Sequence, residues 1–420
     1  MRLLFVTHSF PPPDHPLENI GGMQRVASEL HHALVATGGR GPDGEPFSYD
    51  VHALVSTWKW VHWRVVPFLL TTLLHVRRLV RRGEVDVVLF SSMVTALIVL
   101  FLGRSTSHSL ENRRNGGAHQ GVMLASVVHG RDITKPLSIY QHMVRRVFAR
   151  LDLVLPVSSA TGQACLDRGL PRDKLHVVHN GVNIRRFTPV INGLKKSPTF
   201  ISRDWKRVFR STRHVPSNHA RSPGSPSDRA PDPMLLCGVG RHVERKGYAW
   251  FIREVMPLLP DTVHFWLGGE GPEREHIERA VTEANLSHRV RLLGRLDEWE
   301  LVDLYRTADL FVMPNIPVPG DMEGFGIVML EAGLLGLPTI AAHLEGIREV
   351  ISPGRNGYFV ESGDAAGFSE CIRALQADRD ALRKLSRATR THVTDSFSWE
   401  RVAKNYLSAL SATCSRISSR

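Results

Sequence analysis

Short apolar runs alternate with longer stretches of helical periodicity along most of this chain. In the first half, residues 3–7, 51–55, 85–89, 125–128, 153–156 and 176–178 read as buried strands, with a helix over 23–36 after the first of them. In the second half the alternation restarts. Strands are expected at 234–239, 264–268, 290–293, 310–313, 339–341 and 357–360. Helices are expected at 250–258, 273–284, 301–306 and 327–335, then near 365–375, 379–393 and 399–410. Near-continuous apolar strands interleaved with helices predict α/β domains with doubly wound parallel sheets, which bind ligands at the carboxyl ends of their strands. A chain of 420 residues exceeds one ordinary core, so two such domains are expected.

Between the halves the pattern fails. Residues 190–233 are rich in Ser, Pro and Arg, notably Ser222-Pro223-Gly224-Ser225-Pro226-Ser227, and read as a linker or insertion, with one short basic helix over 202–214 that places Trp205, Val208 and Phe209 on one side. Nine Lys or Arg face three Asp there, which is half of the chain's net charge of +12. Such a patch favours anionic partners, a membrane or a nucleic acid. No zinc-finger spacing or RNA-binding aromatic signature accompanies it, so nucleic acid is set aside. Four widely spaced cysteines imply neither a disulfide framework nor a zinc site and fit a reducing cytosol. The start, Met1 through Thr7, reads as a first strand and not as a leader peptide. Residues 85–103 carry one charge, Asp86, and are barely long enough to span a bilayer; a β-rich first half and the Ser91-Ser92 break favour a buried strand and helix.

Candidate chemistry collects at predicted strand ends. Glu323 and Glu331 bracket seven residues, and Gly324 and Gly326 argue that a loop precedes a helix starting near Ile327. A loop carboxylate, a helix N-terminus with free N–H groups and a helix carboxylate together suit a sugar joined to a nucleoside diphosphate. Gly240-Arg241 follows a strand and Arg245-Lys246-Gly247 opens the next helix, so Arg241 and Lys246 could stabilise a departing diphosphate without a metal. Gly268-Gly269-Glu270-Gly271-Pro272 also follows a strand, where glycines permit close approach of a ligand or simply make a turn. Gly21-Gly22 is of the same kind but falls short of G-x-G-x-x-G, which disfavours a Rossmann dehydrogenase. His129, closing a strand ahead of Gly130-Arg131-Asp132, could hydrogen-bond a sugar hydroxyl or be a structural histidine. Trp58-Lys59-Trp60-Val61-His62-Trp63-Arg64 interleaves aromatic and basic residues in a way that suits the surface of an anionic bilayer.

In this order the motifs resemble glycosyltransferase family 4, the retaining enzymes of GT-B fold. The resemblance runs from Gly21-Gly22-Met23-Gln24-Arg25 through His129-Gly130 and Asn180-Gly181-Val182-Asn183 with Phe187. It continues through Gly240-Arg241, Lys246-Gly247, Gly269-Glu270-Gly271-Pro272, Ala308-Asp309, Pro314 and the Glu323…Glu331 pair to Phe397-Ser398-Trp399-Glu400. It implies two Rossmann-like domains facing a cleft: an acceptor-side domain over 1–189, the basic segment 190–233, a nucleotide-sugar-binding domain over 234–396, and a helix and tail over 397–420 that cross back to the first domain. By this resemblance Arg241 and Lys246 hold the donor diphosphate, Glu331 the ribose, and Glu323 the donor sugar. Phe325 and Gly326 lie near the phosphates, His129 reaches the sugar from the other domain, and Gly22, Gly240, Gly269 and Glu270 line the donor. The implied reaction moves a hexose from a UDP- or GDP-sugar, with a lean to GDP-mannose, to a glycan or lipid-linked acceptor in envelope or polysaccharide synthesis, with no cofactor and no obligatory metal. The implied place is the cytoplasm, peripheral to the inner membrane face. A GT-B-like phosphorylase or epimerase, and a non-catalytic glycan-binding scaffold, are the competing readings. Departures from the family pattern are His179 where proline is usual, a lengthened turn at 38–49, and the 190–233 segment.

Overall fold

The computed structural model describes residues 1–10, 22–55, 58–102, 121–134, 137–194, 200–213 and 232–418. The proline-rich loop at 11–13, Gly21 and the 222–227 stretch lie outside them, as do the side chains of Trp58 and Trp60. The chain divides into two compact units. Unit 1 comprises Met1–Asn183, Pro319–Ile327 and Phe397–Arg420; unit 2 comprises Ile184–Val318 and Val328–Ser396.

Unit 1 holds five parallel strands: β1 (Arg2–Phe10), β2 (Ser48–Val55), β3 (Val87–Phe90), β4 (Met123–Val128) and β5 (Leu153–Pro156), in the order β2-β1-β3-β4-β5. Phe5 of β1 pairs with Val51 on one side and Leu89 on the other. Its helices are α1 (Gly22–Ala36), α2 (Trp58–Arg81), α3 (Met93–Ala96), α4 (Arg131–Thr134), α5 (Ser138–Arg150) and α6 (Ser159–Leu166). Strands β3, β4 and β5 are buried along their whole length, as expected of a parallel sheet covered on both faces. The apolar run at 85–103 is thus a buried strand followed by helix α3, which Ser92 caps. Among the described residues no helix is long and apolar enough to cross a membrane. The strand expected at 176–178 is not one: His176 and Val178 donate to Val154 and Pro156 along the edge of β5, but only a single bridge at Leu175 forms.

Unit 2 carries α7 (Thr188–Leu194), α8 (Phe200–Arg213), β6 (Met234–Val239), α9 (Tyr248–Trp250), β7 (Val263–Gly268), α10 (Arg274–Glu283), β8 (Val290–Gly294), α11 (Glu298–Thr307), β9 (Leu310–Met313), α12 (Ile327–Leu334), β10 (Thr339–Ala342), β11 (Gly357–Val360), α13 (Ala365–Ala377) and α14 (Arg379–Ser396). Its six parallel strands run β11-β10-β9-β6-β7-β8. The strand order reverses between β6 and β9, which marks the crevice where doubly wound sheets bind ligands. The core between sheet and helices is built on Leu236, Phe251, Phe265 and Phe368.

The segment expected as a linker is partly built into unit 2. Ile201 and Trp205 of α8 are buried, and Trp205 meets His264 and Trp266 edge-on at 5.4 and 5.9 Å. Asp204 pairs with Arg291 at 2.8 Å, and the Ser202 amide donates to Asp303. Burying two large apolar side chains is worth about 3–5 kcal/mol, enough to hold a short helix that its basic composition alone would not. After α14 the chain returns to unit 1 as α15 (Trp399–Ser418), which packs against α1, the crossover the family resemblance implied. The Val182 amide donates to the Phe397 carbonyl at the start of this return.

Candidate functional site

In unit 2 the loops after β6 and β7 run side by side. Gly240 N–H donates to Gly268, His242 N–H to Glu270, and Gly269 N–H to Gly294, so the ladder continues past the strand ends. Gly269 sits at φ +123°, and a Cβ there would stand 2.0 Å from the Gly240 carbonyl oxygen. Gly247, at φ +65°, is closed in the same way by the Pro314 carbonyl, 2.0 Å from where a Cβ would be. This second approach ties the loop after β6 to the loop after β9, across the point of strand-order reversal; Ile316 N–H donates to Arg245 there.

Two cations occupy this mouth. Arg241 is exposed and makes no ion pair or hydrogen bond with another described residue. Lys246 is only 6% exposed, and its ammonium lies 4.0 Å from Met313 Sδ and 4.0 Å from the Cβ position of Gly240. A buried ammonium beside glycine backbone is a fixed positive charge in a poorly solvated place, which strengthens its hold on an anion. Glu270 is exposed, and its carboxylate lies 3.7 Å from Arg274. Between the loops His242 is fully buried with neither ring nitrogen hydrogen-bonded, and burial lowers its pKa to about 4, so it is neutral.

Glu331 lies on α12 and is 2% exposed. Arg186 donates to its Oε1 at 2.8 Å and to Glu298 Oε1 at 2.6 Å. Arg186 is not among the residues expected from sequence motifs. It stands 145 positions from Glu331, and no local pattern announces a partner that distant.

In unit 1 the Glu323 loop meets the end of β4. Gly324 is pressed against the His129 carbonyl, which would stand 3.0 Å from an added Cβ, and Gly130 holds φ +72° beside Gly324 and Met322. Glu323 is buried there. Phe325 packs between His179 and Phe397, at 5.6 and 6.3 Å between ring centres. His129 Nε2 donates to the Ser91 carbonyl at 2.9 Å, and its main-chain N–H donates to Asp132 at the same distance. The ring bond to a carbonyl makes Nε2 a donor. Burial raises the Asp132 carboxyl pKa, against the opposing pull of His129. Burial, and secondarily His129, lowers His8 to about 4.

The expected residues therefore gather in two groups. His129, Glu323, Phe325 and Gly326 belong to unit 1, with Gly326 at φ +84° just ahead of α12. Gly240, Arg241, Lys246, Gly269 and Glu270 line one sheet mouth in unit 2, and Glu331, also of unit 2, is held by Arg186. Gly22 begins α1, and no described atom lies within 4 Å of where a Cβ would point.

Comparison with known proteins fits this picture. The family model described as Glycosyltransferase Family 4 matches residues 20–186, and that described as Glycosyl transferases group 1 matches residues 233–378. The chain is 26% identical over 411 residues to a GDP-mannose-dependent monoacylated alpha-(1-6)-phosphatidylinositol monomannoside mannosyltransferase of Corynebacterium glutamicum, covering 95% of both chains. It is 25% identical over 295 residues to a putative colanic acid biosynthesis glycosyltransferase of Escherichia coli, covering 69% of this chain and 64% of that protein, so the match spans less than two thirds of that relative's length. The solved structure of Anabaena Alr3699/HepE in complex with UDP has a TM-score of 0.65 at 18% identity, over 98% of this chain and 100% of that one, a likeness of fold.

Proposed function

The chain belongs to glycosyltransferase family 4, and we propose that it is a retaining, nucleotide-sugar-dependent hexosyltransferase. The observation that carries this reading is the cation pair at the crevice of unit 2. Lys246 is buried, and Arg241 is exposed with no ion pair or hydrogen bond to another described residue, both at the glycine-lined end of β6. A diphosphate leaving group develops negative charge as the sugar bond breaks, and two preplaced cations stabilise it. In this reading Glu331 holds the ribose and Glu323 the donor sugar. His129 offers Nδ1 to a sugar hydroxyl, and Gly22, Gly240, Gly269, Glu270, Phe325 and Gly326 line the donor. The acceptor oxygen bonds to the anomeric carbon on the face from which the diphosphate leaves, so configuration is kept. Unit 2 would hold the nucleoside diphosphate of the donor and unit 1 the acceptor.

The Corynebacterium relative is named for GDP-mannose and a phosphatidylinositol mannoside, which favours a GDP-mannose donor and a lipid-linked acceptor. The Anabaena structures, solved with UDP and with UDP-glucose, keep a UDP-sugar as the rival. Docking at the inner face of an anionic membrane is supported by α2. Its outer face exposes Trp63, Val66, Leu70 and Leu74, each between 61% and 80%, opposite the buried Phe68, Thr72 and Val76. The basic residues Arg78 and Arg81 close the helix. An apolar stripe on the solvent side, ended by arginines, suits the acyl–headgroup boundary.

The test is release of nucleoside diphosphate across a panel of UDP- and GDP-hexoses with lipid-extract acceptors. No release with any donor would reject the enzyme. Flotation with phosphatidylglycerol-containing vesicles tests docking: a Trp63→Ser, Leu70→Ser, Leu74→Ser variant should stay at the bottom of the gradient, and flotation equal to wild type would remove the membrane role.

A further inference from the structure

We infer that Arg186 is a positioning residue for nucleotide recognition, fixing the Glu331 carboxylate for a ribose diol. The inference rests on the proposed role of Glu331 and adds a residue to it. Glu331 is nearly fully buried, so the orientation of its carboxylate is set by the groups that hydrogen-bond it. Arg186 is one of these, with a 2.8 Å bond to Oε1. The guanidinium is itself fixed from two further sides. Its Nε donates to Glu298 in the first turn of α11 at 2.6 Å, and its Cζ stands 5.0 Å from the ring centre of the adjacent, buried Phe187. A planar fork gripping carboxylates on two helices sets the rotamer of Glu331 in a way that a flexible ammonium would not. The helix that carries Glu331 follows β9, the strand beside β6 at the reversal point, so its orientation bears on the same crevice as Lys246.

A tie between α11 and α12 with no role in binding would affect all ligands alike. Positioning of a diol-binding carboxylate would not. Calorimetric binding of UDP and GDP, each against its 2′,3′-dideoxy counterpart, separates the two. Wild type should prefer whichever ribonucleotide it binds over the dideoxy form, and Glu331→Gln should abolish that preference. Arg186→Gln should lower the preference by about tenfold, the effect of one misplaced hydrogen bond to a charged group. Arg186→Lys, which keeps the charge and loses the fork, should fall between and serves if the glutamine variant does not fold. The double variant should be no worse than Glu331→Gln alone.

If Glu331→Gln loses the preference while both Arg186 variants keep it, or if the Arg186 variants weaken ribo and dideoxy forms equally, Arg186 is structural only and the inference falls. If Glu331→Gln also keeps the preference, or wild type binds neither diphosphate, the reading of Glu331 fails first and takes the inference with it.

Discussion

Replacing Gly269 with alanine is the sharpest probe of the unit 2 crevice, because the structure fixes its consequence on geometry alone. The new methyl would stand 2.0 Å from the Gly240 carbonyl oxygen and 2.9 Å from its carbon, where real Cβ atoms essentially never come closer than 3.0 Å. The obstacle is backbone, so no rotamer relieves it, and the two loops must part by about 1 Å. Parting stretches the 3.1 Å Gly240–Gly268 bond and the 2.9 Å His242–Glu270 bond, each worth about 1 kcal/mol net. Holding an alanine at φ +123° adds about 1–3 kcal/mol. The expected loss is about 3–5 kcal/mol, a large part of a typical total stability. Arg241 rides on the displaced segment, so diphosphate affinity should fall with stability. Equilibrium urea unfolding and calorimetric binding of UDP and GDP, run on the same preparation, measure both. Unchanged unfolding and unchanged binding would refute the close approach of these loops and the crevice built on it.

Three further outcomes are expected. Lys246→Ala and Glu323→Ala should each lower turnover by more than about 100-fold, the range for removed transition-state stabilisers, and near-normal rates in steady-state assays would reject their roles. Gly22→Ala meets no described atom within 4 Å; a loss of substrate affinity at an unchanged melting temperature would support ligand approach at the start of α1, and unchanged kinetics would remove Gly22 from the proposed site. His242 and His264 are buried and both lowered to about 4 from the ordinary 6.5, chiefly by burial. Below pH 6.5 the unfolded chain takes up protons that these folded imidazoles refuse, so stability should decline between pH 6.5 and 4, by up to about 3 kcal/mol for each. Urea unfolding from pH 7.5 to 5 checks this, with His242→Phe expected to flatten the slope.

Much of the fold was legible because parallel strands buried on both faces announce themselves as apolar runs. β3, β4, β6 and β9 begin within two residues of the expected positions. Gly326, at φ +84°, does what its position before an apolar periodic segment suggests, and α12 starts at Ile327. Edge features were less legible. Residues 176–178 are apolar enough for a strand, but they extend past β5 with one bridge only. The 190–233 segment reads as polar linker by composition, yet Trp205 finds His264 and Trp266 in a distant strand and folds α8 onto unit 2. The outer stripe of α2 was visible only at its aromatic start. Its continuation through Val66, Leu70 and Leu74 needs the helix's buried side, set by Phe68, Thr72 and Val76, to be known first.

The glycines near the candidate site show why spacing alone left their meaning open. Gly22, Gly247 and Gly269 all follow strands and all suit a backbone that approaches an anion. At Gly269 and Gly247 the space a side chain would need is already filled by the chain's own carbonyls, from Gly240 and Pro314, so glycine is required there whether or not a ligand binds. By letting three loops close on one another they bring Arg241 and the buried Lys246 to one sheet mouth. At Gly22 no described atom lies within 4 Å of where a Cβ would stand, so the packing of the described residues does not itself require glycine there. The same distinction holds for charge. Glu331 is held by Arg186, whereas Arg241 makes no ion pair or hydrogen bond with another described residue. A residue whose chemistry the fold already satisfies will disturb stability when changed. One that makes no ion pair or hydrogen bond with another described residue should disturb binding first, and under the proposed reading Arg241 is the position at which to test that.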